Sequence, residues 1–330
     1  MDNATADEIA RLHVALAQDP TSEEVRERLL EVFSADPDGY NDPRRFELIA
    51  WFLKNNPRHS VCSTPFAHVD PGAAPAAYRD LKNDWLARVK ESPDDPKLTR
   101  GAALFIAADG PDEAKGLLRA AIERRPNDPT LWLALGRVAV DPGEQLTAFE
   151  HARAAGETLP NLLVWIAMNA FRAGQDAKAR DAARELMQLV DEARARYGDR
   201  LDWPDEGRAL WKRAKETTGS DDMASELTDA ISQHAYRKHW AHTVLGLLAC
   251  KSGDLDSAVA HLLGSADVRP DYRLSSYGPS LDRLREICTR GRWEDGLEYL
   301  HRWERIWNDP RVRDWIGAIN ERLLPGDNPE

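Results

Sequence analysis

The chain has 330 residues, a formal net charge of −12, 42% hydrophobic residues and 30% charged residues. This acidity argues against nucleic acid as a partner, because phosphate binding draws on clustered Lys and Arg. No apolar run approaches the length of a membrane span, so we expect no membrane insertion. The N-terminus lacks the basic and apolar regions of an export signal, and the three cysteines are widely spaced. Both features fit a cytoplasmic protein with free thiols.

The first predicted region, residues 1–94, is helical but irregular. Residues 1–35 form a predicted helical hairpin, and a third helix is predicted from Pro43 to Asn55. A loop rich in Pro, Ser and Gly covers residues 58–75, and a helix follows it from Ala76 to Glu91. We interpret this region as a degenerate repeat with a long internal loop. Loops of this length are either functional or mobile.

A recurring pattern of large, small and proline residues predicts three helical-hairpin repeats over residues 95–190. Numbered from Pro129, the best copy has Trp132 at position 4, Leu135 at 7, Gly136 at 8, Gly143 at 15, Ala148 at 20, Ala155 at 27 and Pro160 at 32. A copy that starts at Asp95 is in phase with it, because Ala114 and Ala148 are 34 residues apart. A third copy starts near Pro160. Repeats of this kind bury their apolar faces by stacking on neighbours.

The rest of the chain predicts an insertion, two further repeats and a final helix. The insertion covers residues 191–238, with a short helix after Pro204 and an amphipathic helix that continues into the fourth repeat. The fourth and fifth repeats occupy residues 239–308, and the fifth starts at Tyr277. A last helix within residues 309–330 carries an apolar stripe, which is typical of a cap on the end of a stack.

Residues that favour the start or the end of a helix stand at the predicted helix boundaries. Four Asp-Pro pairs precede apolar-periodic runs: Asp42-Pro43, Asp95-Pro96, Asp128-Pro129 and Asp309-Pro310. Asp caps free amides, and Pro needs no amide partner in the first helical position. Gly174, Gly253 and Gly291 are predicted to form the tight reversals between paired helices. No alternating run of strand type stands out, so the pattern predicts an all-α fold.

The residues at positions 4, 7, 8, 15, 20, 27 and 32 resemble the tetratricopeptide repeat (TPR) signature. The stretches His239 to Gly246, Leu274 to Pro279 and Ala50 to Pro57 are also similar to a group of bacterial TPR-containing proteins with no assigned activity. This resemblance implies a right-handed α-solenoid of TPR-type helical hairpins, with degenerate N-terminal repeats and a C-terminal capping helix. It implies a fold and no reaction.

In a solenoid of this type, the first helix of each repeat lines an inner groove. The residues at the groove-facing positions are Leu133, Arg137, Val164, Trp165, Met168, Phe171, Arg172, Trp240, Thr243, Leu247, Lys251, Leu281 and Arg285. Apolar patches with four cations among them suit a protein segment or peptide bearing carboxylates. The family's clamp for a C-terminal carboxylate is not expected, because Thr99, Leu133 and Val164 stand where a clamp-type side chain would.

Four histidines form the metal-like cluster of the sequence: His234, His239, His242 and His261. Zinc needs three or four convergent ligands, and no cysteine lies near in sequence. His242 also takes the position that Trp132 has in its repeat, where an aromatic ring packs. We therefore interpret these histidines as buried or hydrogen-bonded, and we predict no metal and no other cofactor.

No phosphate loop, dinucleotide fingerprint or nucleophile signature is present. Because function belongs to sites and no catalytic site is evident, we predict a non-enzymatic scaffold or adaptor that binds a protein segment. Two alternatives stay open. One is a peptide-sensing regulator of a partner enzyme, which a neighbouring gene for an enzyme or sensor would favour. The other is a helical-repeat enzyme or enzyme subunit, which bound zinc would favour.

Overall fold

The regular elements of the described chain are helices, as the apolar periodicity predicts. The computed structural model describes residues 3–36, 39–203, 208–270, 274, 278–307 and 309–324, and these contain no strand. The α-helices are α1 (Asn3–Gln18), α2 (Glu23–Ala35), α3 (Pro43–Asn55), α4 (Pro75–Glu91), α5 (Pro96–Ile106), α6 (Pro111–Arg124), α7 (Pro129–Val138), α8 (Pro142–Ala154), α9 (Leu162–Arg172), α10 (Asp176–Tyr197), α11 (Arg208–Thr218), α12 (Asp221–Ser252), α13 (Leu255–Ser265), α14 (Leu281–Thr289), α15 (Trp293–Glu304) and α16 (Pro310–Asn320). No helix in these ranges is both long and apolar enough to cross a membrane.

The four Asp-Pro pairs start helices where predicted. In each pair the Asp carboxylate accepts a hydrogen bond from the amide two residues later: Asp42 from Arg44 (2.8 Å), Asp95 from Lys97 (2.9 Å), Asp128 from Thr130 (3.0 Å) and Asp309 from Arg311 (2.9 Å). The prolines are the first residues of α3, α5, α7 and α16. Each pair therefore satisfies a free amide and supplies a residue that needs no amide partner.

The predicted glycine reversals are also confirmed. Gly253 follows α12 with a φ of +80°, and Gly174 and Gly291 follow α9 and α14 with φ of +71° and +87°. A side chain disfavours this left-handed region, whereas glycine adopts it without that penalty. The chain can therefore turn back directly into α10, α13 and α15.

The chain divides into two compact units, Met1–Glu157 and Thr158–Glu330, which we call the N-terminal unit and the C-terminal unit. In the N-terminal unit, successive helices from α1 to α8 pack on one another in chain order, and α5 also contacts α7. In the C-terminal unit, α12 contacts α9, α10, α11, α13 and α14. The division falls between the second and third predicted repeats.

The predicted insertion contains the short helix and the long helix that the sequence indicates. The short helix is α11, and Pro204 before it lies outside the described residues. The long helix is α12, whose 32 residues run without a break from the insertion into the predicted fourth repeat. The part of the C-terminal unit around α11 and the start of α12 has its own small apolar core, which consists of Leu201, Leu210, Ala214, Ala224, Leu227 and Ile231.

Small residues stand where consecutive helices of the predicted repeats meet. A Cβ added at Gly136 on α7 would lie 2.4 Å from the ring of Phe149 on α8. A Cβ added at Gly296 on α15 would lie 2.7 Å from the sulfur of Cys288 on α14. Protein interiors are close-packed, so neither crossing has room for a further carbon atom.

The segment 58–75 is packed against the N-terminal unit. It forms two short 3-10 helices, Ser60–Ser63 and Pro65–Ala67, and buries four side chains: Val61, Cys62, Ala67 and Val69. The guanidinium of Arg45 on α3 is fully buried and donates to the carbonyl oxygens of Phe66 (2.7 Å) and His68 (2.5 Å). The segment 58–75 is therefore ordered, and Arg45, which lies outside the segment, holds it in place.

The final described helix packs as a capping helix would. α16 contacts α15, and its stripe residues Val312, Trp315 and Ile319 are buried. Its residues Arg313 and Asp314 are exposed. The start of the predicted fifth repeat, Tyr277, lies outside the described residues, and the first described helix of that repeat is α14.

Candidate partner-binding surfaces

The residues predicted to line a groove are divided between the two units. Leu133 and Arg137 lie on α7 of the N-terminal unit. The others lie on the C-terminal unit: Val164, Trp165, Met168, Phe171 and Arg172 on α9, Trp240, Thr243, Leu247 and Lys251 on α12, and Leu281 and Arg285 on α14. Because α12 contacts both α9 and α14, these three helices are neighbours.

Exposure separates these residues into three groups. Leu133, Val164 and Thr243 are 8%, 2% and 5% exposed, so their side chains pack inside the protein. Arg137, Arg172 and Lys251 are exposed, and the rest are half-buried. In the C-terminal unit, the half-buried and exposed residues form what we call the groove surface: Trp165, Met168, Phe171, Arg172, Trp240, Leu247, Lys251, Leu281 and Arg285.

The cations of the groove surface differ in how they are neutralised. Lys251 lies 2.7 Å from a carboxylate oxygen of Asp176, and Arg285 lies 3.6 Å from Asp282. Arg172 forms no ion pair with the described residues. Exposed ion pairs contribute little to stability, so a competing carboxylate can replace them at low cost.

Thr243 is buried because it belongs to a polar cluster between α12, α13 and α14. Arg283 is 1% exposed, and its Nη2 donates to the hydroxyl oxygens of Thr243 (3.2 Å) and Ser265 (3.3 Å). The Nδ1 of His239 lies 2.8 Å from the carbonyl oxygen of Ser265. Burial lowers the pKa of His239 to about 3, and the charge of Arg283 acts in the same direction. His239 is therefore neutral at ordinary pH.

His242 and His261 form a hydrogen-bonded pair with 2.9 Å between their Nδ1 atoms. One ring must donate and the other accept, so this bond requires at least one neutral ring. Burial lowers the pKa of His242 to about 4, and His261 adds to the effect. The equivalent residues of the best-matching repeat, Trp132 and His151, stack with 4.3 Å between ring centroids. Both pairs join positions 4 and 23 of their repeats.

The four histidines do not converge on one point. His234 lies 3.4 Å from a guanidinium nitrogen of Arg194, His239 faces a backbone carbonyl, and His242 faces His261. Within the described residues, no group of three or more His, Cys, Asp or Glu is arranged to hold a metal. The histidines are buried or hydrogen-bonded, as the repeat position of His242 indicates.

A polar pocket of about 450 Å³ lies beside His234 in the C-terminal unit. Four of its charged residues form two ion pairs: Arg194 with Asp202 and Lys238 with Asp267, each at 2.8 Å. Burial lowers the pKa of His234 to about 4, and the charge of Arg194 contributes. Two further arginines, Arg269 and Arg305, also line this pocket, so the two pairs do not balance all of its positive charge.

A pocket of about 350 Å³ in the N-terminal unit was not predicted from the sequence. We call it the loop pocket, because residues 62–68 form one wall. The remaining lining residues are Ser34, Tyr40, Leu104, Phe105 and Arg137. Of these, Arg137 alone was a predicted site residue. Three apolar residues within this otherwise Pro-, Ser- and Gly-rich segment could have indicated the pocket from the sequence: Val61, Phe66 and Val69.

Comparison of the chain with protein-family models and with curated proteins finds no match. The repeat interpretation therefore depends on residue spacing and on the packing described above. Two observations bear on it most directly: the equivalent pairs at positions 4 and 23, and the small residues at helix crossings.

Proposed function

We propose that the chain is a cytoplasmic, non-enzymatic scaffold or adaptor whose helix pairs are TPR-type repeats stacked as a right-handed α-solenoid. Contacts between helices that are consecutive in the chain support this proposal, and they join α5 to α6, α7 to α8, α9 to α10, α12 to α13 and α14 to α15. The recurrence of one ring pair at the same two repeat positions supports it further.

The proposed partner is a protein segment or peptide bearing carboxylates, bound on the groove surface. The observation that carries this proposal is the set of half-buried rings and cations that share neighbouring helices. Trp165 and Phe171 share α9 with Arg172, and Trp240 shares α12 with Lys251. Trp covers a large contact area with few torsions to freeze, and Arg can bind a carboxylate through two parallel hydrogen bonds.

Charge reversal on the groove surface tests this function. The groove variant carries Arg172→Glu, Lys251→Glu and Arg285→Glu, and the matched control carries Arg184→Glu, Lys212→Glu and Arg313→Glu. Partners captured from native lysate by the wild type are identified by mass spectrometry, and their affinities for all three proteins are measured by calorimetry. Loss of an interfacial charge pair costs about 2–5 kcal/mol, so we expect the groove variant to bind at least about 30-fold more weakly.

The helical circular dichroism of both variants should match the wild type, because exposed charges contribute little to stability. A partner that binds the groove variant as tightly as the wild type would contradict the proposal. Equal losses in the groove variant and the control would contradict it too, since they would show a general effect of charge.

A further inference from the structure

The loop pocket combines apolar walls with a cation and is built from several separate parts of the N-terminal unit. Phe66 comes from the loop, Leu104 and Phe105 come from α5, and Arg137 comes from α7. Its volume of about 350 Å³ lies at the lower end of the range for small-molecule sites. Sites of that kind are mainly apolar, with a few polar groups that fix the orientation of the ligand.

Arg137, which lines this pocket, and two arginines that act on its lining residues, Arg45 and Arg100, have no carboxylate partner among the described residues. Arg137 is exposed, yet desolvation by the surrounding walls lowers its pKa, and the charge of Arg100 adds to the effect. The Nε of Arg100 is buried without a hydrogen-bond partner. Arg45 donates to neutral acceptors alone: the hydroxyl of Ser34 and the carbonyls of Tyr40, Phe66 and His68. A chain of net charge −12 therefore concentrates unneutralised positive charge here.

The acidic residue that acts on His68 has another role. Asp70 interacts electrostatically with His68, but its Oδ1 accepts hydrogen bonds from the amides of Gly72 (2.7 Å) and Ala73 (3.4 Å). Burial lowers the pKa of His68, and the charge of Arg45 acts in the same direction. The lowered pKa favours the uncharged form of His68, so the positive charge that a ligand can neutralise here is that of the arginines.

The walls of the pocket are held in place without a ligand. Arg45 fixes the loop through two carbonyls, and the hydroxyl of Thr64 donates to the carbonyl of Val61 at 2.7 Å. Phe105 stacks on the buried ring of Tyr78 with 5.2 Å between centroids. A site organised in advance loses less conformational entropy when a ligand binds.

We propose that the loop pocket binds a small organic carboxylate whose compact apolar body lies against Phe66 and Leu104 and whose carboxylate pairs with Arg137. A guanidinium presents two parallel N–H groups that match a carboxylate, and such charge-assisted bonds are stronger than neutral ones. The apolar walls favour an alkyl or phenyl body over a highly polar one. This site is distinct from the groove surface, since its residues and those of the groove surface belong to different units.

The probes are 4-phenylbutyrate and octanoate, with 4-phenylbutylamine, octanol and inorganic phosphate as comparisons, titrated into the full-length protein by calorimetry. We expect both carboxylates to bind with a dissociation constant of about 1 mM or tighter. Arg137→Gln should weaken this binding at least about tenfold, the effect of losing one charge-assisted pair. The matched control Arg125→Gln removes an exposed arginine elsewhere in the same unit and should bind as the wild type does.

Two results would overturn the proposal. One is the absence of binding by both carboxylates, and the other is equal binding by the amine, octanol or phosphate. Full affinity in Arg137→Gln would exclude the assigned contact. Phe66→Ser tests the apolar wall and should also weaken octanoate binding, with unchanged circular dichroism as the check on folding. The substitutions at Arg137 and Phe66 leave the groove surface unaltered, so a negative result with them would leave the proposed peptide function standing.

Discussion

Two arginines on α14 show how position decides the role of a residue. Arg285 was predicted to face a groove and is half-buried beside the exposed Asp282. Arg283, two residues earlier, is 1% exposed and donates to Thr243 and Ser265. A buried charge needs hydrogen-bonding partners to offset the loss of water, which explains why these two hydroxyls lie in the interior.

Gly136→Ala should destabilise the protein, because the added carbon would lie 2.4 Å from the Phe149 ring. Overpacking of this kind costs about 1–3 kcal/mol. The control is Gly116→Ala on α6, where a Cβ would meet nothing within 4 Å. In that open position alanine is favoured in a helix interior and should stabilise by about 0.5–1 kcal/mol. Chemical denaturation of both variants measures the difference, and equal stabilities would contradict the assigned crossing.

The buried neutral His239 predicts a loss of stability in acid. Its pKa is about 3 in the folded protein against an ordinary value of 6.5, so the unfolded chain binds the proton more tightly. Stability is therefore fully present above pH 6.5 and falls as the pH drops from 6.5 toward 3. The contribution of one such group approaches about 1.4 kcal/mol per pH unit.

His239→Gln should reduce the slope of unfolding free energy against pH in this range, since Gln can still donate to the Ser265 carbonyl but does not titrate. Denaturation midpoints measured from pH 8 downward give the slope. Above pH 7 the difference between wild type and variant should be constant. An unchanged slope below pH 6 would show that His239 is not buried as a neutral ring.

At the scale of elements, the segment 58–75 and α12 both depend on contacts with other elements. The segment is held by Arg45, which lies on α3. The helix α12 is long because its N-terminal half packs on α11 and its C-terminal half packs on α13. Neither arrangement follows from helix propensity, which gives a weak preference that tertiary contacts override.

Arg45→Met should loosen the loop wall. It removes the Arg45 donor from the carbonyls of Tyr40 and His68 and leaves the Phe66 carbonyl with the Ser34 hydroxyl at 3.5 Å. Each buried acceptor left unsatisfied costs about 1–3 kcal/mol. The adjacent Arg44→Met is the control, since Arg44 is exposed and pairs with Asp42 at the surface. Hydrogen exchange should show faster exchange of residues 60–68 in the first variant and wild-type exchange in the second. Equal protection in both would contradict the tethering role of Arg45.

At the scale of the whole molecule, charge is unevenly distributed. The net charge is −12, yet the loop pocket and the groove surface each present arginine without a described carboxylate partner. An acidic protein with local cationic sites repels polyanions at long range and still accepts an isolated carboxylate at short range, because salt screens charge beyond about 8–10 Å.

The protein should therefore fail to retard duplex DNA in a gel at physiological ionic strength. Binding to DNA requires several phosphates to be neutralised together by clustered Lys and Arg. A histone-like basic protein serves as the positive control for the assay. Retardation that weakens with added salt would contradict this expectation and would point to a basic surface not evident from the net charge.

The sequence alone determined the features that depend on neighbours a few residues away. At the predicted Asp-Pro pairs, the Asp carboxylate accepts a hydrogen bond from the amide two residues later, and this bond sets the start of the helix. Gly253 ends α12 because glycine adopts a positive φ without a steric penalty. The spacing of small residues likewise indicated the crossings at Gly136 and Ala148, since the two helices that cross are consecutive.

The tertiary structure alone decided the features that depend on distant partners. Thr243 is buried because Arg283, 40 residues later, reaches its hydroxyl, although its helix position indicated a groove-facing residue. The loop pocket exists because Arg45, α5 and α7 meet the segment 58–75 in space. Helical periodicity identifies which face of a helix is apolar, but it does not specify which distant residue that face will meet.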